Sequence, residues 1–192
     1  HETFHFFDDK KLALIVPYRN REKQLEKFLS VLTEVLKKQK IDYLIMVVEQ
    51  IEGKAFNRAK LINVGAFCNL DSSDYFCIHD VDMMPQNADY RCPSSPLRLV
   101  TQLATTWRDK QVFEGTYFSG SITIPKDDFL QVNGFSNEYW GWGKEDDDFL
   151  FRLLREGIVP FVDNIGLFYE MPNPKEQRPA KDTLKKNKKK KY

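Results

Sequence analysis

Three groups of residues in this chain have the types and spacing to do chemistry. The first is Asp80-Val81-Asp82, directly after the apolar run Tyr75 to His79 (YFCIH). Two carboxylates two positions apart, where a strand leaves a sheet, can hold a hard divalent cation through oxygen. Such a cation can bridge two nucleotide phosphates and neutralise charge on a leaving group. A turn using Asp for its local hydrogen bonds explains the same letters. The second group is Trp140-Gly141-Trp142-Gly143-Lys144-Glu145-Asp146-Asp147-Asp148. Consecutive carboxylates repel one another, and a helix N-terminus offsets part of that repulsion. Acidic decoration of a helix start accounts for Asp148, but no helix start needs two Trp and two Gly before it. Flat indoles suit the faces of sugar rings, the glycines free the backbone, and a carboxylate beside them can take a proton from a hydroxyl. The third group is Arg19, Arg21, Phe56, Asn57 and Arg58. Guanidinium forks suit phosphate and uracil oxygens, and Phe can stack on a base; plain surface ion pairs are the alternative.

Other reactive residues say less. His1 and His5 fall in an end expected to be loose, and His79 reads either as a metal neighbour or as a structural residue. No Ser-His-Asp or Cys-His arrangement stands out, and the glycines form no phosphate loop. Cys68 reads as a helix residue facing a core. Cys77 and Cys92 flank the acidic pair and either form a disulfide in an oxidising compartment or stay reduced.

These groups need elements to position them. Lys11 to Val16 (KLALIV) reads as a buried strand that Pro17 ends. Glu22 to Lys38 carries Leu25, Phe28, Leu29, Leu32, Val35 and Leu36 at helical spacing. Tyr43 to Val48 reads as a second strand. Asn57 can cap a helix over Arg58 to Asn69 with Leu61, Ile62 and Val64 as its apolar positions. Tyr75 to His79 is a third strand. Strand, helix, strand, helix, strand predicts βαβ units and a mainly parallel sheet flanked by helices. Ligands bind beyond the carboxyl ends of such strands, which is where the basic set and the acidic pair fall. Further on, the pattern predicts a helix between Pro93 and Arg108, a strand at Ser121 to Ile124 and a helix from Asp127 to Val132 closed by Asn133-Gly134. It ends with a helix from Glu145 to Glu156, with Phe149, Leu150, Leu153 and Leu154 inward, and a strand at Ile158 to Val162.

The 192 residues fit one α/β domain: an N-terminal extension over 1–10, a catalytic body over 11–171 and a lysine-rich tail over 172–192. Residues 181–192 carry seven Lys and one Asp, a net +6, which leaves −5 on residues 1–180 of a chain whose formal charge is +1. The body therefore lacks the basic footprint of a nucleic-acid binder. No apolar run is long enough to span a membrane. The chain begins at His1 rather than Met, so a membrane anchor is expected, if anywhere, upstream of it; the lysine tail is the other candidate for membrane contact.

The motifs together resemble the β-1,4-galactosyltransferase family, of GT-A fold. They run in family order: Pro17 to Arg21 (PYRNR), Phe56 to Gly65 (FNRAKLINVG), Asp80-Val81-Asp82, Tyr90-Arg91-Cys92, Tyr117 to Gly120 (YFSG), Asn133 to Asn137 (NGFSN) and Tyr139 to Asp148 (YWGWGKEDDD). The resemblance implies an inverting transfer of galactose from UDP-galactose to an acceptor sugar hydroxyl, with Mn²⁺. It implies donor contacts at Pro17, Arg19, Arg21, Phe56, Arg58, Asp80, Val81, Asp82, Tyr117 and Trp142. Asp146 would be the catalytic base. Tyr117, Gly120, Trp142, Gly143, Glu145, Asp146 and Asp147 would hold the acceptor. Asp82 and Met171 would ligate the metal, and Tyr117 would favour galactose over N-acetylgalactosamine. His79 and Lys144 resemble the branch that galactosylates xylose. Eukaryotic relatives work in the Golgi lumen; a microbial or viral version without an anchor would be cytoplasmic.

The chain also departs from the family. Pro174 stands where a metal-binding His would follow Met171, and no His follows His79. Ser119 replaces a common Gly, and the C-terminal part is short. These departures motivate an alternative, a catalytically weak or inactive UDP-sugar or glycan-binding module of the same fold. A phosphohydrolase using Asp80 as nucleophile and Asp82 as acid leaves the Trp-Gly cluster without a task.

Overall fold

A computed structural model of the chain describes residues 3–105, 108–112 and 118–172. In chain order these form β1 (Phe6–Phe7), β2 (Lys11–Tyr18), α1 (Glu22–Lys38), β3 (Asp42–Glu49), α2 (Arg58–Phe67), β4 (Tyr75–His79), β5 (Met83–Asn87), β6 (Cys92–Pro93) and β7 (Leu97–Arg98). Then follow β8 (Gln102–Thr105), β9 (Arg108–Val112), β10 (Ser121–Pro125), α3 (Lys126–Gln131), α4 (Glu145–Arg155), β11 (Phe161–Val162) and β12 (Leu167–Glu170).

The central sheet has the order β11-β7-β10-β4-β2-β3. Its β3-β2-β4 half is parallel, as the βαβ spacing requires, while β10 runs antiparallel to both neighbours. β2 is buried on both faces, so its sequence is a continuous apolar run rather than an alternation. Leu12, Leu14 and Val16 pack with Phe28, Leu32 and Leu36 of α1. Ala13 and Ile15 face the other way, onto Ala59, Ile62 and Ala66 of α2 and Phe149 and Leu153 of α4. The domain is thus a layered α/β/α body. A smaller sheet, β5-β12-β8-β9, lies beside it and brings the segment ending at Met171 to the acidic pair.

α2 lies close on the sheet because Gly65 has no side chain: a Cβ there would sit 2.5 Å from Ile15 Cγ2. Asn57 caps this helix as expected, accepting from the Lys60 amide at 2.9 Å. α4 stops where Gly157 adopts φ +76°, a conformation that suits glycine.

Several expectations are corrected. No helix forms among the described residues between Pro93 and Arg108. That stretch holds short strands paired with distant ones, which local spacing does not reveal, and its Leu97, Leu99, Val100 and Leu103 are buried. Pro17 does not end β2; it pairs with Val48 beyond the last β4 partner, Ile15, where a missing donor costs little. Ile158 to Val162 shortens to β11, because Pro160 cannot extend the ladder. Val64 and Leu154 are exposed rather than inward. Cys68 is exposed at the C-terminal end of α2, which turns Ala59, Ile62 and Ala66 to the core instead. Cys77 and Cys92 are both free and buried, and burial pushes each thiol up to about 12. His5 is not loose: its amide donates to Ser94 Oγ at 3.1 Å beside the β1–β6 pair that ties down the N-terminal extension. The 173–192 part of the tail lies outside the described residues.

Candidate active site

The acidic pair and the Trp-Gly-acid motif meet in one cleft, and Arg58 joins them. Arg58 opens α2, and its Nε donates to Asp80 Oδ1 at 2.7 Å. Its Nη1 donates to Asp146 Oδ1 at 2.7 Å and lies 3.7 Å from Glu145 Oε1. Only 11% of the Arg58 side chain is exposed. A cation at a helix N-terminus is unfavourable alone; three carboxylates at bonding or near-bonding range reverse that balance. Asn57 and Asn63 hold the two sequence motifs together. Asn57 Nδ2 donates to Asn137 O at 2.8 Å. Asn63 pairs with both backbone groups of Phe135, accepting at 2.8 Å and donating at 2.7 Å. Helix α2 thereby fixes the loop that leads into α4.

That loop runs through left-handed backbone at Gly141, Gly143 and Lys144, with φ of +80°, +92° and +84°. Trp140 and Trp142 stay largely solvent-facing, Trp142 at 56% exposure. The Gly141 amide donates to Phe56 O at 2.7 Å, and Lys54 Nζ stands 5.8 Å over the Trp140 ring. The Arg19 guanidinium lies 5.2 Å over Phe56, forming a flat cationic and aromatic surface beside the cleft.

Asp82 forms the second part of the cleft. Arg21 Nη1 donates to its Oδ2 at 2.8 Å, and the Met171 amide donates to its carbonyl at 2.8 Å. Beneath the pair, His79 is fully buried between Phe28 and Phe168. Its Nε2 lies 2.9 Å from the Tyr90 hydroxyl and its Nδ1 lies 3.0 Å from the Asp80 carbonyl. An acceptor carbonyl at Nδ1 assigns the proton there and leaves Nε2 to accept from Tyr90. Both ring nitrogens are thus engaged, and burial pushes His79 down to about 4, so the neutral ring supports Asp80 from beneath.

Four carboxyls, Asp80, Asp82, Glu145 and Asp146, face two guanidiniums, Arg21 and Arg58. Burial, with Asp146 beside it, pushes Glu145 up to about 7 against the pull of Arg58. Asp146 is raised by burial, with Arg58 and the Ser119 hydroxyl opposing. Asp82 is raised by burial and by Asp80, with Arg21 opposing. A buried carboxylate held near neutrality is suited to taking a proton from a hydroxyl.

The remaining expected residues fall as follows. Gly120, at φ +83°, accepts from the Asp80 amide at 2.9 Å and so orients the acidic pair. Val81 packs in the core and Pro17 is buried in β2. Asp147 is exposed and pairs with Lys144 rather than with the cluster. Asp148 is buried and bridges to Arg152 at 2.9 Å, more than decoration of a helix start. Tyr117 lies outside the described residues. Sequence reasoning missed the roles of Asn63, Tyr90 and Ser119. All three stood inside matched motifs, Ser119 as a departure from a common Gly.

For a divalent cation, the Asp82 carboxylate is a suitable oxygen donor, and the Met171 backbone lies beside it, its amide bonded to the Asp82 carbonyl. Oxygen ligation at Asp82 suits Mn²⁺ or Mg²⁺, and the excess of carboxyls over guanidiniums favours added positive charge. Among the described residues no three His, Cys, Asp or Glu side chains converge as a complete metal cage. No helix among them is long and apolar enough to cross a membrane.

Two family models match the chain. The N-terminal region of glycosyl transferase group 7 matches residues 6–93, and the N-terminal domain of galactosyltransferase matches residues 105–174. β-1,4-Galactosyltransferase 4 of Homo sapiens is 45% identical over 149 residues, 75% of this chain and 42% of that protein. The chain thus spans less than half the length of that relative. The crystal structure of the catalytic domain of Drosophila β-1,4-galactosyltransferase 7 with xylobiose superposes at TM-score 0.82 with 31% identity, covering 95% of this chain and 81% of that one. A mutant of the same protein, in complex with manganese, UDP-Gal and xylobiose, gives 0.83 at 31% identity. The fold is therefore GT-A, and with both family models matched and four-fifths of a related catalytic domain covered, the chain belongs to the β-1,4-galactosyltransferase family.

Proposed function

We propose that this chain transfers galactose from UDP-galactose to an acceptor sugar hydroxyl, with inversion at the anomeric carbon. The observation that carries the reading is the single cleft in which Arg58 joins Asp80 to Asp146. Arg19 stacked on Phe56, with Arg58, makes the surface for the uridine and diphosphate. Asp82, with Met171 beside it, would hold the divalent cation, Mn²⁺, which would neutralise charge on the departing diphosphate. Asp146 accepts the acceptor's hydroxyl proton as the oxygen attacks the anomeric carbon. The carbon–oxygen bond to UDP breaks, and UDP leaves with the bonding pair. Glu145 hydrogen-bonds the acceptor sugar, with Gly120 and Gly143 bordering that site. Trp142, on its glycine-flanked loop, covers the bound donor and excludes water. Tyr117 sets the preference for galactose. A xyloside-type acceptor is the reading that the His79 and Lys144 resemblance suggests, and the superposed Drosophila complexes hold xylobiose. In a eukaryote the site of action would be the Golgi lumen, on glycans or glycoconjugates.

The test is a UDP-sugar screen with Mn²⁺, reading released UDP and product linkage. Asp146→Asn should lower turnover by about a thousandfold or more, with UDP affinity within threefold of the parent; undiminished turnover excludes Asp146 as the base. A second reading is a UDP-binding module without catalysis. The Arg21–Asp82 ion pair favours it, because it already occupies the expected metal ligand. Calorimetry separates the two: UDP binding indifferent to Mn²⁺, with no transfer, supports the module.

A further inference from the structure

The bend Ser119-Gly120 touches both halves of the cleft. Its glycine carbonyl holds the Asp80 backbone, while the Ser119 hydroxyl donates to Asp146 Oδ2 at 2.6 Å. Asp146 Oδ1 is already held by Arg58 at 2.7 Å, so each oxygen of this carboxylate has its own donor, one charged and one neutral. The bend is shaped for this, with Gly120 at φ +83° and the Ser121 amide donating back to Ser119 O at 3.1 Å. A glycine at position 119 would supply no hydroxyl.

We propose that Ser119 is a positioning residue for Asp146, holding the carboxylate in one orientation against Arg58 and favouring its ionised, proton-accepting form. The inference rests on the reading of Asp146 as the base. A hydroxyl that donates to a carboxylate stabilises the anion and lowers its proton affinity. The need for it is local. Asp80 from the end of β4 and Glu145 on the same helix both face Asp146 with negative charge, and burial favours the neutral acid. Arg58 from α2 is shared among all three carboxyls, so it neutralises none of them fully. Without the hydroxyl, Asp146 holds its proton to higher pH and is free to turn about the Arg58 contact.

The variants are Ser119→Ala, which deletes the hydroxyl, and Ser119→Thr, which keeps it. The pH dependence of kcat/KM for the acceptor is measured for both and for the parent protein. For Ser119→Ala the acidic limb should move up by about one pH unit, with about a tenfold loss below that limb. Ser119→Thr should restore the parent profile, and UDP affinity by calorimetry should stay within twofold in both. A Ser119→Ala profile coincident with the parent overturns the proposal, as does an equal displacement in both variants. A ¹³C NMR titration of the Asp146 carboxyl, assigned with Asp146→Asn, reads the same hydrogen bond without turnover. A carboxyl displaced by Ser119→Ala in a protein that transfers no galactose refutes the catalytic reading alone. An undisplaced carboxyl in an active protein refutes the role of Ser119 alone.

Discussion

Replacing Arg58 with Met keeps the aliphatic stem and removes the charge that joins the cleft. Arg58 is 11% exposed, and its partners Asp80, Asp146 and Glu145 are 28%, 20% and 9% exposed. Removing one partner of a buried ion pair costs about 3–5 kcal/mol. Water reaches the Asp80 end, which places this case near the lower limit, about 3 kcal/mol at pH 8. Loss of a cation from the first turn of α2 returns about 0.5 kcal/mol. The cost depends on pH in a definite direction. Folded Glu145 titrates at about 7 against an ordinary 4.5, so between those values the native state binds more protons than the unfolded chain. Its contribution is present at low pH and lost as pH rises through 7. Without Arg58, Glu145 and Asp146 hold their protons to still higher pH. At pH 5.5 Glu145 is neutral and no longer repels its neighbours, and the cost of the substitution falls to about 1 kcal/mol. His79 has the opposite slope; burial is the main cause of its lowered value and Arg58 a lesser one, so most of its effect is common to both proteins. Urea unfolding at pH 5.5 and pH 8 gives the two differences directly. Equal values, or a larger one at pH 5.5, would refute the account of Arg58 as the shared counter-charge.

Gly65→Val should lower stability by about 2–3 kcal/mol, read as a fall in Tm, because its Cβ meets Ile15 at 2.5 Å and lifts α2 off the sheet. Asn63→Ala strands the buried amide and carbonyl of Phe135 and should cost about 2–3 kcal/mol. It should also speed tryptic cleavage after Lys144, since the loop before α4 loses its tie; unchanged cleavage would argue that Asn57 alone holds the loop. His79→Leu should cost about 2 kcal/mol at pH 7 through its unpaired Tyr90 and Asp80 partners. The parent loses stability as pH falls from His79's ordinary 6.5 towards about 4, because only the unfolded chain takes up that proton. The Leu variant should lack that part of the slope, as urea midpoints across this range would report.

Much of this was legible in the letters. The doubly buried β2 announces itself as an unbroken apolar run, α1 and α4 by their helical spacing, and Asn57 by its capping chemistry. All of these are local signals, complete within a few turns or a few residues. The order of the matched motifs named the family and the fold. The helix expected between Pro93 and Arg108 does not form among the described residues, because the strands there are defined by partners at Ser121 to Pro125, Phe161 to Val162 and Leu167 to Glu170, far away in the chain. For the same reason no pattern showed that His79 would be a neutral prop beneath Asp80, or that Ser119 would reach Asp146.

By itself the sequence determined which elements form and which residue types stand at their ends, since propensity, periodicity and capping act over neighbouring residues. Only the tertiary structure decided that the carboxyls after β4 and those opening α4 share one guanidinium. A charge network of that kind depends on distances between segments more than 60 residues apart in the chain, such as Asp80 and Asp146. Burial in the closed cleft then sets the protonation of Glu145, Asp146 and His79, and burial is a property of the folded surface rather than of any stretch of letters.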